Sequence, residues 1–113
     1  MEYWHNPRCT KSREALALLH AHGVAPEVRE YLKSPPGADE LKQVAEKLRL
    51  ATVRDMMRTR EAAYKARGLK DVDDEDALVR AMTEEPKLIE RPILINGPRA
   101  VVGRPPERIL DAV

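Results

Sequence analysis

The order of apolar and polar positions divides the chain into short elements. Residues 1 to 5 read as a brief strand that runs into a Pro-Arg-Cys loop. From Thr10 to about His22, Ala15, Leu16, Leu18 and Leu19 give one apolar helical face, and Gly23 follows where a left-handed residue can end the helix. Glu27 to Tyr31 reads as a second strand. After Ser34-Pro35-Pro36-Gly37, the residues Leu41, Val44 and Leu48 recur at spacings of three and four, which sets them on one side of a helix. Thr52-Val53-Arg54-Asp55 has the form of a capped helix start. Asp73 is placed to cap another helix, carrying Leu78 and Met82, that Pro86 stops.

The last quarter changes character. Pro92-Ile93-Leu94-Ile95 is an apolar run followed by Asn96-Gly97 and then Arg99-Ala100-Val101-Val102, a hairpin pattern in which Pro98 weakens the tightest two-residue turn. Arg104-Pro105-Pro106-Glu107 opens a final helix with proline where a missing N–H costs least, and Ile109 and Leu110 can pack it down. The order strand, helix, strand, helices, strand, strand, helix predicts an α/β domain with a small mixed sheet. The stretch from about Ala38 to Glu90 is a helical insert. No internal repeat, Gly/Ser linker or low-complexity tract interrupts it.

Composition narrows the class. A chain of 113 residues is expected to form one domain, residues 1 to 113, that buries roughly two-thirds of its unfolded surface. With 42% hydrophobic and 35% charged residues it is neither a disordered tail nor a membrane protein. Twenty basic against 19 acidic residues leave a net charge of +1, which argues against a dedicated nucleic-acid binder and assigns any anion binding to local clusters. Met1-Glu2-Tyr3-Trp4-His5 lacks a secretory pattern and no apolar run reaches membrane-spanning length, so a cytoplasmic protein with no membrane partner is expected. A single cysteine makes no intrachain disulfide.

That cysteine lies in the informative segment, His5-Asn6-Pro7-Arg8-Cys9-Thr10-Lys11-Ser12-Arg13, a strand-to-helix turn with a thiol at a helix amino terminus. Free N–H groups and the helix dipole favour negative charge there, and Arg8, Lys11 and Arg13 add cationic field. A thiol with pKa about 8.5 is only about 3% ionised at pH 7, and lowering it by about two units makes it about 75% ionised. Intrinsic nucleophilicity falls roughly tenfold over the same range, so ionisation alone gains only a few-fold in rate. Most catalytic advantage must come from holding an anionic electrophile beside the sulfur, which is work for arginines.

A lone cysteine is more commonly a small buried hydrophobe, but these polar, cationic neighbours favour the nucleophile. Ser12 is equally a helix-start hydroxyl without function or a donor to the thiolate. Cys9-x-x-Ser12 lacks the second sulfur of a dithiol pair, so disulfide chemistry needs an external thiol. A cysteine-phosphatase loop would need arginine where Ala15 stands. His5 could tune Cys9 or be a half-exposed strand-end residue. His20 and His22 point in different directions on their helix, and no metal site is expected. Asp71 to Asp76 reads as a cap with a solvated face, and Met56-Met57 as core.

The segment from His5 to Arg13, Arg91-Pro92-Ile93 and Gly103-Arg104-Pro105-Pro106-Glu107 together resemble the ArsC-type, glutaredoxin-coupled arsenate reductases. The resemblance runs over nearly the whole chain and includes Tyr31-Leu32 before Pro35-Pro36, and Tyr64 before Gly68-Leu69. It implies a thioredoxin-like fold with a small mixed four-stranded sheet, the helical insert between the second and third strands, and a cis peptide at Arg91-Pro92. By position, Cys9 matches the family's nucleophile, and Arg58, Arg91 and Arg104 match its three oxyanion-binding arginines. Spacing alone would not have selected these three; Arg54 and Arg60 lie close to Arg58, whose spacing to Tyr64 fits the family pattern better. His5 and Ser12 match site-lining positions.

The resemblance further implies that forked guanidinium groups hold arsenate, that Cys9 forms a covalent adduct with it, and that glutathione and glutaredoxin supply electrons from outside. No bound cofactor is expected, and a monomer is the default expectation. Arg8 before the cysteine and Thr10-Lys11 after it resemble a broadly distributed subgroup of relatives. Related members of the fold include glutathione-dependent thiol reductases and Spx-type regulators that bind RNA polymerase. The redox-sensing form of those regulators uses a Cys-x-x-Cys pair that Ser12 removes here.

Overall fold

The computed structural model describes all residues, 1–113. Four strands, β1 (Glu2–Trp4), β2 (Glu27–Arg29), β3 (Ile93–Asn96) and β4 (Arg99–Val102), form one mixed sheet in the order β2-β1-β3-β4. The helices are α1 (Thr10–Ala21), α2 (Ala38–Lys47), α3 (Ala62–Ala66) and α4 (Glu75–Glu84), joined by short 3₁₀ turns. By its contacts the chain resolves into two compact units, residues 1–34 with 91–113, and residues 35–90.

In the sheet unit, β1 runs parallel to β2 and antiparallel to β3, and β3 pairs with β4 as an antiparallel hairpin. Registration aligns Val28, Tyr3, Leu94 and Val101 in one row across the sheet. Side chains alternate between the faces of a strand, so this row shares one face. Tyr3, Leu94 and Val101 pack there with Ala15 and Leu19 of α1 and with Ile109 and Ala112 near the carboxyl end. Val28, at the edge strand, stays 45% exposed. On the alternate register position Trp4 is buried, its indole donates to Glu2 at 2.5 Å, and the Arg29 guanidinium lies over its ring.

Several boundaries differ from expectation for identifiable reasons. The second strand stops at Arg29, because Tyr31 enters a turn, where it is buried. The hairpin closes as a two-residue turn after all: Asn96 pairs with Arg99, Gly97 takes φ +57°, and Pro98 fills the second turn position. A Gly-first turn asks for positive φ only at the glycine, which leaves the next position open to proline. The last helix is a 3₁₀ helix, Pro106–Ala112, and still buries Ile109.

The helical unit begins at Pro35, slightly before the expected insert. Leu41, Val44, Leu78 and Met82 are buried on their helices, and Met56 and Met57 are core. Thr52 does cap, accepting from Arg54 N–H, but the helix it starts is a single 3₁₀ turn, Val53–Met56. The cap of α4 is Asp74 and not Asp73: its carboxylate accepts from Asp76 N–H at 3.1 Å. Glu75, the first residue of α4, accepts from Thr52 hydroxyl at 2.6 Å and Val53 N–H at 2.7 Å, joining the two helix starts. The Arg54 guanidinium donates to Tyr64 hydroxyl and to the carbonyls of Leu69 and Val72, fastening α3 and the following turn. Arg54→Met keeps the apolar stem and removes these donors, so it should cost about 1–3 kcal/mol in urea unfolding; a loss under about 0.5 kcal/mol would mean that water replaces the guanidinium.

Candidate active site

Cys9 is the N-cap of α1, in extended geometry at φ −92° and ψ 120°. An N-cap side chain ordinarily offers an oxygen to the unpaired N–H groups of the first turn. Here sulfur takes that place, half-buried; it closes no cap hydrogen bond of ordinary geometry, but the first-turn N–H groups of Ser12 and Lys11 lie near enough to favour its charged form. The loop that delivers it is closed by Cys9 N–H to Asn6 carbonyl and by Arg13 N–H to Cys9 carbonyl, both 3.0 Å.

Burial alone pushes the thiol up. The Ser12 N–H, the Arg91 charge, the Lys11 N–H and a hydrogen bond from the Arg91 side chain outweigh that effect, and the net shift is downward. The cationic contribution therefore comes from Arg91, more than eighty residues away in sequence, and not from the three neighbours the sequence pointed to. Arg13 instead donates to Pro7 carbonyl at 2.8 Å and Thr10 hydroxyl at 3.3 Å, bracing the loop. Lys11 faces Glu14 at 3.8 Å, and Arg8 is exposed.

Ser12 is fully buried. Its hydroxyl accepts from Asn6 N–H at 3.0 Å and lies 2.7 Å from His5 Nδ1, so the hydroxyl serves the loop while its backbone N–H serves the sulfur. Burial lowers the His5 pKa; the Glu30 carboxylate opposes this and Arg13 adds to it, leaving the net value below the ordinary histidine range. The ring is thus neutral at pH 7, a hydrogen-bonding partner of Ser12 and not a source of positive charge.

The two arginine-proline segments meet next to one another. Arg91-Pro92 and Arg104-Pro105 are both cis; the first was implied by resemblance and the second was not foreseen. Gly103 N–H donates to Pro92 carbonyl at 2.9 Å, and Arg104 Nη1 donates to Arg91 carbonyl at 3.3 Å. A Cβ at Gly103 would stand 3.0 Å from Pro92 Cγ and 3.1 Å from Ile109 Cδ1, so a side chain here would press both neighbours back by a few tenths of an ångström. Cys9, His5, Ser12, Arg91 and Arg104 thus belong to one unit. Arg58 belongs to the helical unit, where it is ion-paired with Glu61 at 3.2 Å and its N–H bonds Leu88 carbonyl at 2.7 Å. Arg54, its neighbouring candidate, is occupied by the bonds described above, and Arg60 is exposed.

A thiol biased toward thiolate beside a guanidinium is equipped for nucleophilic attack on an oxyanion. The ArsC family model matches residues 4–112. The chain belongs to the ArsC family. It is 49% identical over 110 residues to an arsenate reductase of Neisseria meningitidis, covering 96% of this chain and 94% of that protein. Against the uncharacterized protein YfgD of Escherichia coli K12 it is 45% identical over 114 residues, covering 100% of this chain and 96% of that one. Among solved structures, it matches an arsenate reductase from Vibrio cholerae with a TM-score of 0.96 at 48% identity, over 100% of this chain and 98% of that one. The four-stranded mixed sheet with its helical insert is the thioredoxin-like arrangement of this ArsC family.

Sequence reasoning did not single out Gly103 or Tyr3. Gly103 carried a signal, being a glycine directly before Arg104-Pro105, but the atoms that crowd it come from distant positions. Tyr3 hydroxyl donates to Ser12 carbonyl at 2.6 Å, and a tyrosine in an apolar strand always asks for such a partner.

Three outcomes are expected. Because Cys9 titrates lower in the folded than in the unfolded chain, the unfolded chain holds more protons between the two values. Stability from this group is present above the unfolded pKa and lost as pH falls through the folded one; Cys9→Ser should flatten that part of a stability profile, and Arg91→Ala should move the pH midpoint of Cys9 alkylation upward. Gly103→Ala should destabilise by about 1–3 kcal/mol, read by denaturant unfolding, as overpacking does elsewhere.

Proposed function

We propose that this ArsC-family protein is an arsenate reductase that works through a covalent Cys9–arsenate adduct and takes its electrons from glutathione, with glutaredoxin clearing the disulfide. The carrying observation is a cysteine whose sulfur faces two helix N–H groups and the Arg91 guanidinium, in a chain similar along its length to arsenate reductases. Arg91 and Arg104 are assigned to oxyanion binding, Arg58 joins them on sequence resemblance, and His5 and Ser12 support the thiol.

In this reading Cys9 thiolate attacks arsenic and one arsenate oxygen leaves as water, forming the S–As bond. A glutathione thiolate then attacks the Cys9 sulfur. The S–As electron pair stays on arsenic, which departs as arsenite, reduced from the +5 to the +3 state. Cys9 is left in a mixed disulfide with glutathione, and a further external thiol restores it. The external supply of electrons follows from the chain having one cysteine. A cavity of about 410 Å³ borders the loop, with Arg8, Lys33 and Glu30 in its wall, a charge pattern that suits a peptide thiol bearing two carboxylates and one ammonium. The chemistry belongs in a reducing compartment, the cytoplasm, and requires only a monomer; no helix is long and apolar enough to cross a membrane.

The test couples the protein to glutathione, glutaredoxin and a recycling reductase. Arsenate-dependent consumption of reductant is expected from the wild type and is abolished in Cys9→Ser. Arg91→Ala and Arg104→Ala should raise KM for arsenate more than they lower thermal stability. Turnover of a disulfide substrate without any turnover of arsenate would replace this reading with a thiol reductase.

A further inference from the structure

Tyr3 takes part in no step described above, yet its hydroxyl reaches the residue that serves the sulfur. The ring is 0% exposed within the apolar face of the sheet unit, a place that a purely aliphatic side chain would fill. A phenol oxygen there is unfavourable unless hydrogen-bonded, and this one donates to Ser12 carbonyl at 2.6 Å. Ser12 is then held at two atoms by residues of β1 and the loop that follows it: its carbonyl by Tyr3, and its hydroxyl by Asn6 N–H and His5. The remaining polar group of Ser12 is its backbone N–H, which lies in the first turn of the helix that Cys9 caps and is among the groups that favour a charged Cys9 sulfur. Hydrogen bonds weaken steeply as the donor tilts away from its acceptor, so the orientation of this residue decides how well that N–H serves the sulfur.

We propose that Tyr3 is a positioning residue for Cys9, its hydroxyl pinning the Ser12 carbonyl so that the Ser12 N–H stays aimed at the sulfur. The phenol is suited to this, because burial above all pushes its pKa up to about 12 and it remains a donor while Cys9 goes from thiol to thiolate. The proposal rests on Cys9 reacting as a thiolate and stands whether or not arsenate is what that thiolate meets.

The experiment is the pH dependence of Cys9 alkylation by iodoacetamide in folded wild type, Tyr3→Phe and Val101→Ala. Tyr3→Phe removes one oxygen and keeps the ring; its midpoint should rise by about half a unit, read as about threefold slower alkylation below the midpoint. Val101→Ala perturbs the same apolar cluster without touching Ser12; it should lower the melting temperature and leave the midpoint where it was. Amide hydrogen exchange supplies a second readout: Tyr3→Phe should accelerate exchange at Ser12 while leaving Leu19, two turns on, unchanged. An unmoved midpoint, an equal shift in Val101→Ala, uniform acceleration along α1, or failure of Tyr3→Phe to fold would each make the hydroxyl merely structural and overturn the proposal.

Discussion

A half-buried sulfur keeps negative charge only where fixed dipoles or cations replace the water it has lost, and much of the sheet unit serves that requirement. The first turn of α1 supplies N–H groups, which is why the cysteine sits at the cap and not inside the helix. The guanidinium comes from Arg91, at the entrance to β3, the strand that pairs with β1. Neither could reach the sulfur if β1 were not flanked on both sides, since β1 sets the origin of the loop and β3 sets where the chain returns.

The return is itself constrained. Pro92 and Gly103 are linked by a main-chain hydrogen bond, and the absence of a side chain at Gly103 lets Pro92 and Ile109 close over it. The constraint at Gly103 is one of packing: a side chain there would press on both neighbours. The carboxyl-terminal 3₁₀ helix therefore has a reach beyond its own stability, because Ile109 completes the enclosure that keeps the two arginine-bearing segments adjacent.

Much of this was legible in the chain. The apolar spacing in α1, α2 and α4 was unambiguous, and the turn residues announced the hairpin, because periodicity and turn chemistry are local properties. Cys9 was legible for the same reason: its polar surroundings and helix-start position are consecutive in sequence. The origin of its positive field was not, since the nearby Lys11 and Arg13 are engaged elsewhere and the effective guanidinium arrives through strand pairing. The engagement of Arg54 was likewise hidden, because it depends on carbonyls at Leu69 and Val72 that only folding brings to it. Family resemblance pointed to Arg58, Arg91 and Arg104, where spacing was silent.

The indole of Trp4 carries a practical consequence. It is the chain's only tryptophan, buried in β1 one residue before His5, whereas the helical unit contributes a single aromatic side chain, Tyr64. Emission excited selectively at the indole edge therefore monitors the sheet alone, and a circular-dichroism signal dominated by helices reports both units. Comparing the two along one denaturation curve separates the melting of the insert from that of the scaffold bearing the thiol, with no label attached.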